Sequence, residues 1–472
     1  MIGMYCQGGV AGSASAASRQ ANNPEGFDPS GLLTGPHRVS DLWLRGWLAT
    51  RGRRLPTAHP QMRQRHLFAL SFALLAAAPG LCARLAGLHF DAPMTALLAG
   101  TSIMGASFLL LWACDAAQAE ISQALALAAV ALVAVLPEYS VDMYFTWQAG
   151  QNPAGAYAHY AIANMTGANR LLIGVAWGLI VAVYWFRFGR DVQLEEERRT
   201  ELLFLGFATA YAFAIPLKGT LAWYDGVVFI GLYIWYLILA GRRPSSEVEV
   251  EGPATLLTEL HGPLRRIGIL AMFLFAGVVI LANSEPFCEG LIGTGRIFHI
   301  NEFLLVQWLA PIASETPEFV VALGFAWRGQ AGLALGSLLS AKLNQWTLLV
   351  GMIPGVFALS HGTFQHPIPM GPYQLSELLL TAAQSLLAVV LLTTLRLSMG
   401  GALLLFGLFI GQFVLPLFSV WYPALAFGLG SQQVHPVFTL IYVAIGTALI
   451  LLHPRAVLGL AEGIRVPPRE LP

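Results

Sequence analysis

Two stretches of this sequence place acids, amides and hydroxyls where they could gather a cation. LPEYSVD at 136–142 is followed by GANRLLIGVAWG at 167–178, and TPEFVVA at 316–322 is followed by SAKLNQWTLLVG at 340–351. Each copy is a Pro-Glu within an apolar run, then a small-residue triplet opening a second run that ends in Gly. A carboxylate inside a membrane is expensive unless it is paired, hydrated or bound to a cation. Glu138 and Glu318, at matching places, are therefore the expected metal ligands, hard oxygens suited to Na+ or Ca2+. Pro137 and Pro317 each remove an amide donor and can free an upstream carbonyl as a further ligand. Asn164, Thr166, Asn169, Ser314, Thr316, Ser337, Ser340, Asn344 and Gln345 could complete the shell, although such side chains also join membrane helices by hydrogen bonds. Asp142, one turn beyond Glu138 on the same helix face, and Glu315, three residues before Glu318, extend the acidic track. Both could equally be solvated charges at a mouth or vestibule.

Two cations stand among these groups. Arg170 directly follows Asn169, and Lys342 occupies the third place of the second triplet. Either could pair with Glu138 or Glu318 and simply lock the helices together. Alternatively, an ammonium beside the acids supplies a fixed counter-charge in place of a metal ion, or carries the proton of an exchange cycle. A snorkelling Lys342 is disfavoured because it lies some dozen residues into its helix.

The elements that must position these residues are membrane helices. The 472-residue chain is 56% hydrophobic and only 11% charged, with a mean hydropathy of +0.64, too few charges to cover a soluble protein of that size. On a ruler of about 20 apolar residues per span, about 12 candidates lie near 67–89, 94–114, 121–147, 156–186, 201–217, 222–241, 265–283, 302–327, 331–359, 375–395, 400–420 and 435–453. With a cytoplasmic N-terminus, the inside loops collect Arg187, Arg190, Arg198, Arg199, Arg242, Arg243, Arg265, Arg266, Arg328 and Arg396, whereas the outside loops hold only Lys218 and Arg296. That alternation follows the positive-inside rule and puts both termini inside.

The domain organisation expected is a cytoplasmic, disordered tail over 1–65, a first membrane half over 66–241, a linker over 242–264, a second half over 265–454 and a cytoplasmic tail over 455–472. Met62, just ahead of the first apolar run, offers an alternative start. The repeated segments, about 130–180 and about 310–355, fall on helices three and four and on helices eight and nine. An odd offset of five helices inverts one copy relative to the other, which points to a transporter with a midplane site.

These residues resemble the alpha repeats of the sodium/calcium exchanger superfamily, the cation/calcium antiporters, whose pattern is roughly G-T-S-x-P-E followed by G-S-N-x-x-N/D. The second copy reads Ala313-Ser314-Glu315-Thr316-Pro317-Glu318, then Ser340-Ala341-Lys342-Leu343-Asn344-Gln345; the first reads Leu136-Pro137-Glu138, then Gly167-Ala168-Asn169. The resemblance, that of a divergent bacterial-type member, implies an all-α integral membrane fold with two inverted five-helix repeats and a diamond of sites between the four motif helices. It implies exchange of Na+ or Ca2+, for H+ where Lys342 or the glutamates carry protons, by alternating access in a multi-pass cell inner membrane protein. Departures are Lys342 in place of the usual Asn, Leu172 in place of the last amide, and Ala134-Val135 in place of the Thr-Ser pair. They thin the shell and leave open Na+/Ca2+ exchange without proton coupling, or a non-transporting sensor or scaffold.

Other chemistries find little footing. An intramembrane acid/base enzyme would need partners for the two glutamates, and the chain has no HExxH, GxSxG or phosphate-cradling glycine loop. His159, His299, His361, His366 and His435 fall at helix ends or in loops. Cys6, Cys82, Cys114 and Cys288 are scattered and read as packing residues. Trp147, Trp177, Trp223 and Trp327 read as interfacial markers. No cofactor is called for beyond the transported cation. The expected partners are lipid, inorganic cations and protons, with no nucleic acid, and the segment 242–264 is too short for a soluble regulatory domain.

Overall fold

A computed structural model describes residues 60–118, 135–242, 252–421 and 431–464, with side chains omitted at Pro60, 416–421 and 431–432. The chain divides into two compact units, and every described residue lies in the second, Pro60–Pro472. The expected N-terminal tail up to residue 59, the start of helix three, most of the linker between the halves and the last eight residues lie outside the described residues.

The described chain is built of long helices: α1 (Pro60–Leu85), α2 (Ala92–Gln118), α3 (Leu136–Gln151), α4 (Tyr157–Phe188), α5 (Arg198–Lys218), α6 (Trp223–Ala240), α7 (Gly262–Phe298), α8 (Glu302–Trp327), α9 (Ala331–His361), α10 (Pro372–Leu391), α11 (Met399–Trp421) and α12 (Ser431–Leu452). Nine helices among the described residues are long and apolar enough to cross a membrane. α4 and α9 each contain a π-helical stretch, Leu172–Trp177 and Gln345–Leu349. Both begin at the sixth residue counted from the small-residue triplet, so the two segments share a local backbone irregularity as well as a motif.

Some elements depart from the sequence expectation. α7 runs 37 residues to Phe298, beyond an expected end near 283, because the polar residues there are satisfied within the helix. Asn283 Nδ2 donates to Val279 O at 2.8 Å and Ser284 Oγ to Ile280 O at 2.7 Å. At its far end, α1 starts at Pro60, within the stretch read as tail. Trp177 is fully buried in the π-helical part of α4, unlike Trp147, Trp223 and Trp327, which are exposed as expected of interfacial residues. Of the cysteines described, Cys114 and Cys288 are buried and Cys82 is exposed.

Two minimal strand pairs tie the connections together. β1 (Val192–Gln193) pairs with β4 (Arg396–Leu397), and β2 (Thr220–Leu221) pairs with β3 (Ile368–Pro369), both antiparallel. Each pair joins connections that the arginine alternation assigns to one side: α4–α5 with α10–α11, and α5–α6 with α9–α10.

The four motif-bearing helices pack on one another, α3 on α4, α8 on α9, α4 on α8 and α3 on α9, with α2, α7 and α10 around them. The approach of α4 to α8 depends on Gly167. Pro311 has no amide hydrogen, so the Gln307 carbonyl one turn before it lacks its helical donor. That oxygen lies 2.0 Å from where a Cβ on residue 167 would sit, so only glycine admits this contact.

Candidate cation site

Glu138 occupies the first turn of α3, with Pro137 at the N-terminal position where a missing amide hydrogen is harmless. The helix N-terminus carries partial positive charge, which favours a carboxylate there. Pro317 lies inside α8 and leaves the Ala313 carbonyl without its helical donor. Thus the two prolines act differently: one starts a described helix, the other interrupts hydrogen bonding within one.

The acid that meets Glu138 is Glu315. Gln345, the first residue of the π-helical stretch of α9, donates from Nε2 to Glu138 Oε2 at 2.8 Å and to Glu315 Oε1 at 3.0 Å. Sharing one nitrogen keeps those carboxylate oxygens within about 6 Å of each other. Both glutamates are 3% exposed. Glu318, expected as the symmetric partner, is half-buried one turn further along α8, outside this amide bridge. The acidic neighbours of Glu138 are Glu315, Asp142 and Glu318.

Asp142 is fully buried and accepts a hydrogen bond from Asn164 Nδ2 at 2.8 Å. It therefore does not face solvent at a mouth. Several oxygens of this group have no hydrogen-bond partner among the described residues: Glu138 Oε1, Asp142 Oδ2, Asn164 Oδ1, Glu315 Oε2 and Gln345 Oε1. All are acceptors, and buried acceptors left unsatisfied are costly. A cation or protons would satisfy them. No three His, Cys, Asp or Glu side chains among the described residues stand close enough to hold a metal ion together. Amide and main-chain oxygens must supply much of any coordination shell.

Lys342 is fully buried on α9. Its Nζ donates to Asn169 Oδ1 at 2.6 Å and to the Asn169 carbonyl at 3.3 Å, and lies 4.5 Å from the centre of the Trp346 ring. Glu315 and Glu138 are its acidic neighbours, yet its hydrogen bonds go to neutral oxygens. Asn169 Nδ2 donates to Met165 O at 2.8 Å.

The remaining expected shell residues are engaged locally or elsewhere. Ser314 donates to Ala310 O and Pro311 O, Thr316 to Ile312 O, Thr166 to Ile162 O and Ser337 to Ala334 O, all within their own helices. Asn344 accepts a hydrogen bond from Tyr139 and donates to Tyr233 Oη at 3.3 Å. Ser340 belongs to another group: it donates to Glu201 Oε1 at 2.9 Å and accepts from Arg198 Nη1 at 3.2 Å.

Arg170 pairs with neither Glu138 nor Glu318. Its guanidinium forms a fully buried ion pair with Glu377 of α10 and lies 5.3 Å from the Trp308 ring centre. Gln307 Nε2 also donates to Glu377, at 2.9 Å, and His435 Nδ1 lies 3.2 Å from its other oxygen. His435 lies near the start of α12, as its helix-end reading expects, and is buried there. The sequence signal for this pair is Glu377 itself, an acid within an apolar run at 375–395.

The profile of the sodium/calcium exchanger protein family matches residues 92–241 and 268–418. A crystal structure of the H+/Ca2+ exchanger CAX is 39% identical, superposes with a TM-score of 0.78, and the match covers 86% of this chain and 98% of that one. An uncharacterized membrane protein of Methanocaldococcus jannaschii is 25% identical over 194 residues, which is 40% of this chain and 60% of that protein. The inner membrane protein YrbG of Escherichia coli is 22% identical over 196 residues, 41% of this chain and 58% of its own length.

Proposed function

The chain belongs to the sodium/calcium exchanger protein family, and on that premise we propose that it is a secondary active antiporter exchanging Ca2+ or Na+ for H+ by alternating access. Supporting the reading is the bridge of Gln345 between Glu138 and Glu315, two buried carboxylates that each keep one oxygen without a hydrogen-bond partner among the described residues. Two such negative charges are tolerable within a membrane when a cation binds them or when protons neutralise them. Cation and protons then compete for the same oxygens, and that competition is what couples opposite movements of the two. Glu138 and Glu315 are the principal ligands in this reading. Gln345, Asn164 and Asp142 add oxygens, and Glu318 lies one turn along α8 as a secondary acid. The family transports ions and is not a family of catalysts, and no cofactor takes part. The neighbour named as an H+/Ca2+ exchanger favours Ca2+ and H+ as the pair.

Lys342 supplies a fixed positive charge beside the acids or the exchanged proton. Its hydrogen bonds to Asn169 favour the first role, because they hold the ammonium as a bound cation would be held. In the same reading the protein sits in a cell inner membrane with both termini cytoplasmic.

Purified protein in liposomes, with internal pH recorded under imposed Ca2+, Na+ or K+ gradients, tests this function. Proton movement driven by a Ca2+ or Na+ gradient in wild type, and lost in Glu315→Gln, supports it. Flux no greater than in empty liposomes across pH would instead favour a non-transporting sensor that keeps the fold.

A further inference from the structure

A second polar feature lies away from the acids, among the connections on the side where the arginines gather. A cavity of about 530 Å³ is lined by Tyr184, Gly189, Arg190, Asp191, Gln193, Gly329, Gly332 and Arg396. It is assembled from three connections. α4 ends in a left-handed cap at Gly189, which turns the chain so that Arg190 and Asp191 follow outside the helix. The β1–β4 pair puts Gln193 opposite Arg396, and Arg396 bonds Asp191 Oδ2 from Nε at 2.9 Å and from Nη2 at 2.6 Å. The first turn of α9 closes the third wall, with Gly332 so near Gln193 O that a Cβ would lie 2.4 Å from it.

Asp191 is engaged by Arg396, whereas Arg190 has no ion-pair or hydrogen-bond partner among the described residues. The lining therefore holds two guanidinium groups against one carboxylate, a surplus of planar donors suited to phosphate oxygens. The flank beside it is apolar and aromatic: Trp185, Phe186, Phe188 and Trp327 are exposed, and Arg187 lies 4.4 Å from the centre of the Trp327 ring. Exposed aromatics beside arginines mark the level where lipid headgroups meet acyl chains.

We propose that this cavity binds a phosphate group, that of an anionic phospholipid headgroup, held by Arg190 and Arg396 with the acyl chains lying along the aromatic flank. Basic pockets between membrane helices suit such headgroups, and inorganic phosphate presents the same oxygens without the chains. Because Arg190 is exposed and unpaired, Arg190→Ala removes a ligand contact without breaking a contact of the fold.

The test uses the full chain in detergent, titrated separately with short-chain phosphatidylglycerol, phosphatidylcholine and inorganic phosphate. Binding is read by native mass spectrometry, with Arg190→Ala and the exposed Arg455→Ala as variants. The expected result is preferential retention of phosphatidylglycerol, weakened about tenfold or more in Arg190→Ala and unchanged in Arg455→Ala. Arg190-dependent binding of inorganic phosphate with no gain from the lipid would uphold the phosphate site and overturn the lipid as its source. Equal retention of phosphatidylglycerol and phosphatidylcholine, or no change in Arg190→Ala, overturns the proposal. These readouts do not depend on ion flux, so the site stands or falls separately from the antiporter reading.

Discussion

Lys342 Nζ and Asn169 Oδ1 are hydrogen-bonded at 2.6 Å, and these two residues hold the third place of the matching triplets SAK and GAN. The same position of each segment thus meets its counterpart. Where an amide would face an amide, one side has become an ammonium held by the oxygens of the other.

If that ammonium is a fixed charge, Lys342→Asn leaves the Asn169 oxygens free for a mobile cation. Flux should then become more steeply dependent on membrane potential, one further charge moving per cycle. Proteoliposomes clamped with valinomycin and K+ measure this. Unchanged voltage dependence would remove Lys342 from the charge count.

The amide bridge separates two glutamates that sequence alone treats alike. Glu315→Gln should lower cation flux by more than about tenfold, the scale of losing a group that holds or orients a metal's ligands. Glu318→Gln, half-buried and outside the bridge, should stay within about threefold of wild type on the same scale. The reverse order would return the primary role to Glu318.

Competition for shared oxygens fixes the sign of the pH response. Acidifying the side from which the cation loads protonates Glu138 and Glu315, removing charge and acceptor oxygens together. The apparent KM for the cation should rise while the maximal rate holds, as initial rates at varied pH and cation concentration will show. In Glu318→Gln, which keeps most of its flux, the dependence on pH should persist.

Gly167→Ala should destabilise the protein by about 1–3 kcal/mol, the range for overpacking a tight contact, because the new Cβ would meet the Gln307 carbonyl. Gly206→Ala is the matched control, its nearest neighbour being Val389 Cγ1 at 3.8 Å. Thermal unfolding of both variants in detergent makes the comparison, and equal midpoints would contradict the close approach of α4 to α8.

Arg170→Met leaves Glu377 buried without its cation, a loss of about 3–5 kcal/mol for breaking such a pair. The double change Arg170→Met with Glu377→Leu should recover much of that stability, since no lone charge remains. A thermal-stability cycle across the two singles and the double checks the coupling. Simple additivity would mean that the ion pair carries no shared energy.

The membrane class, the long helices, the alternation of arginine between connections and the two motif segments are all legible along the chain. These properties are local, set by runs of apolar residues, by charge between runs and by short motifs. The candidate set legible there is wider than the contacts: Glu138 and Glu318 as the pair of acids, with Asp142, Asn164, Asn169, Ser314, Glu315, Ser340, Asn344 and Gln345, and the cations Arg170 and Lys342. Tertiary structure decided which of them touch. Glu315 and Glu318 are three residues apart on one helix, and both are acids in an apolar run. Only the packing of α8 against α9 turns Glu315, rather than Glu318, toward Gln345. Arg170 is a cation beside a motif until α10 and α12 bring Glu377 and His435 to it, and no spacing along the chain encodes a partner 207 residues away. The phosphate cavity likewise exists only where three separate connections meet, because the two-residue strand pair that assembles it is too short to leave a periodic pattern.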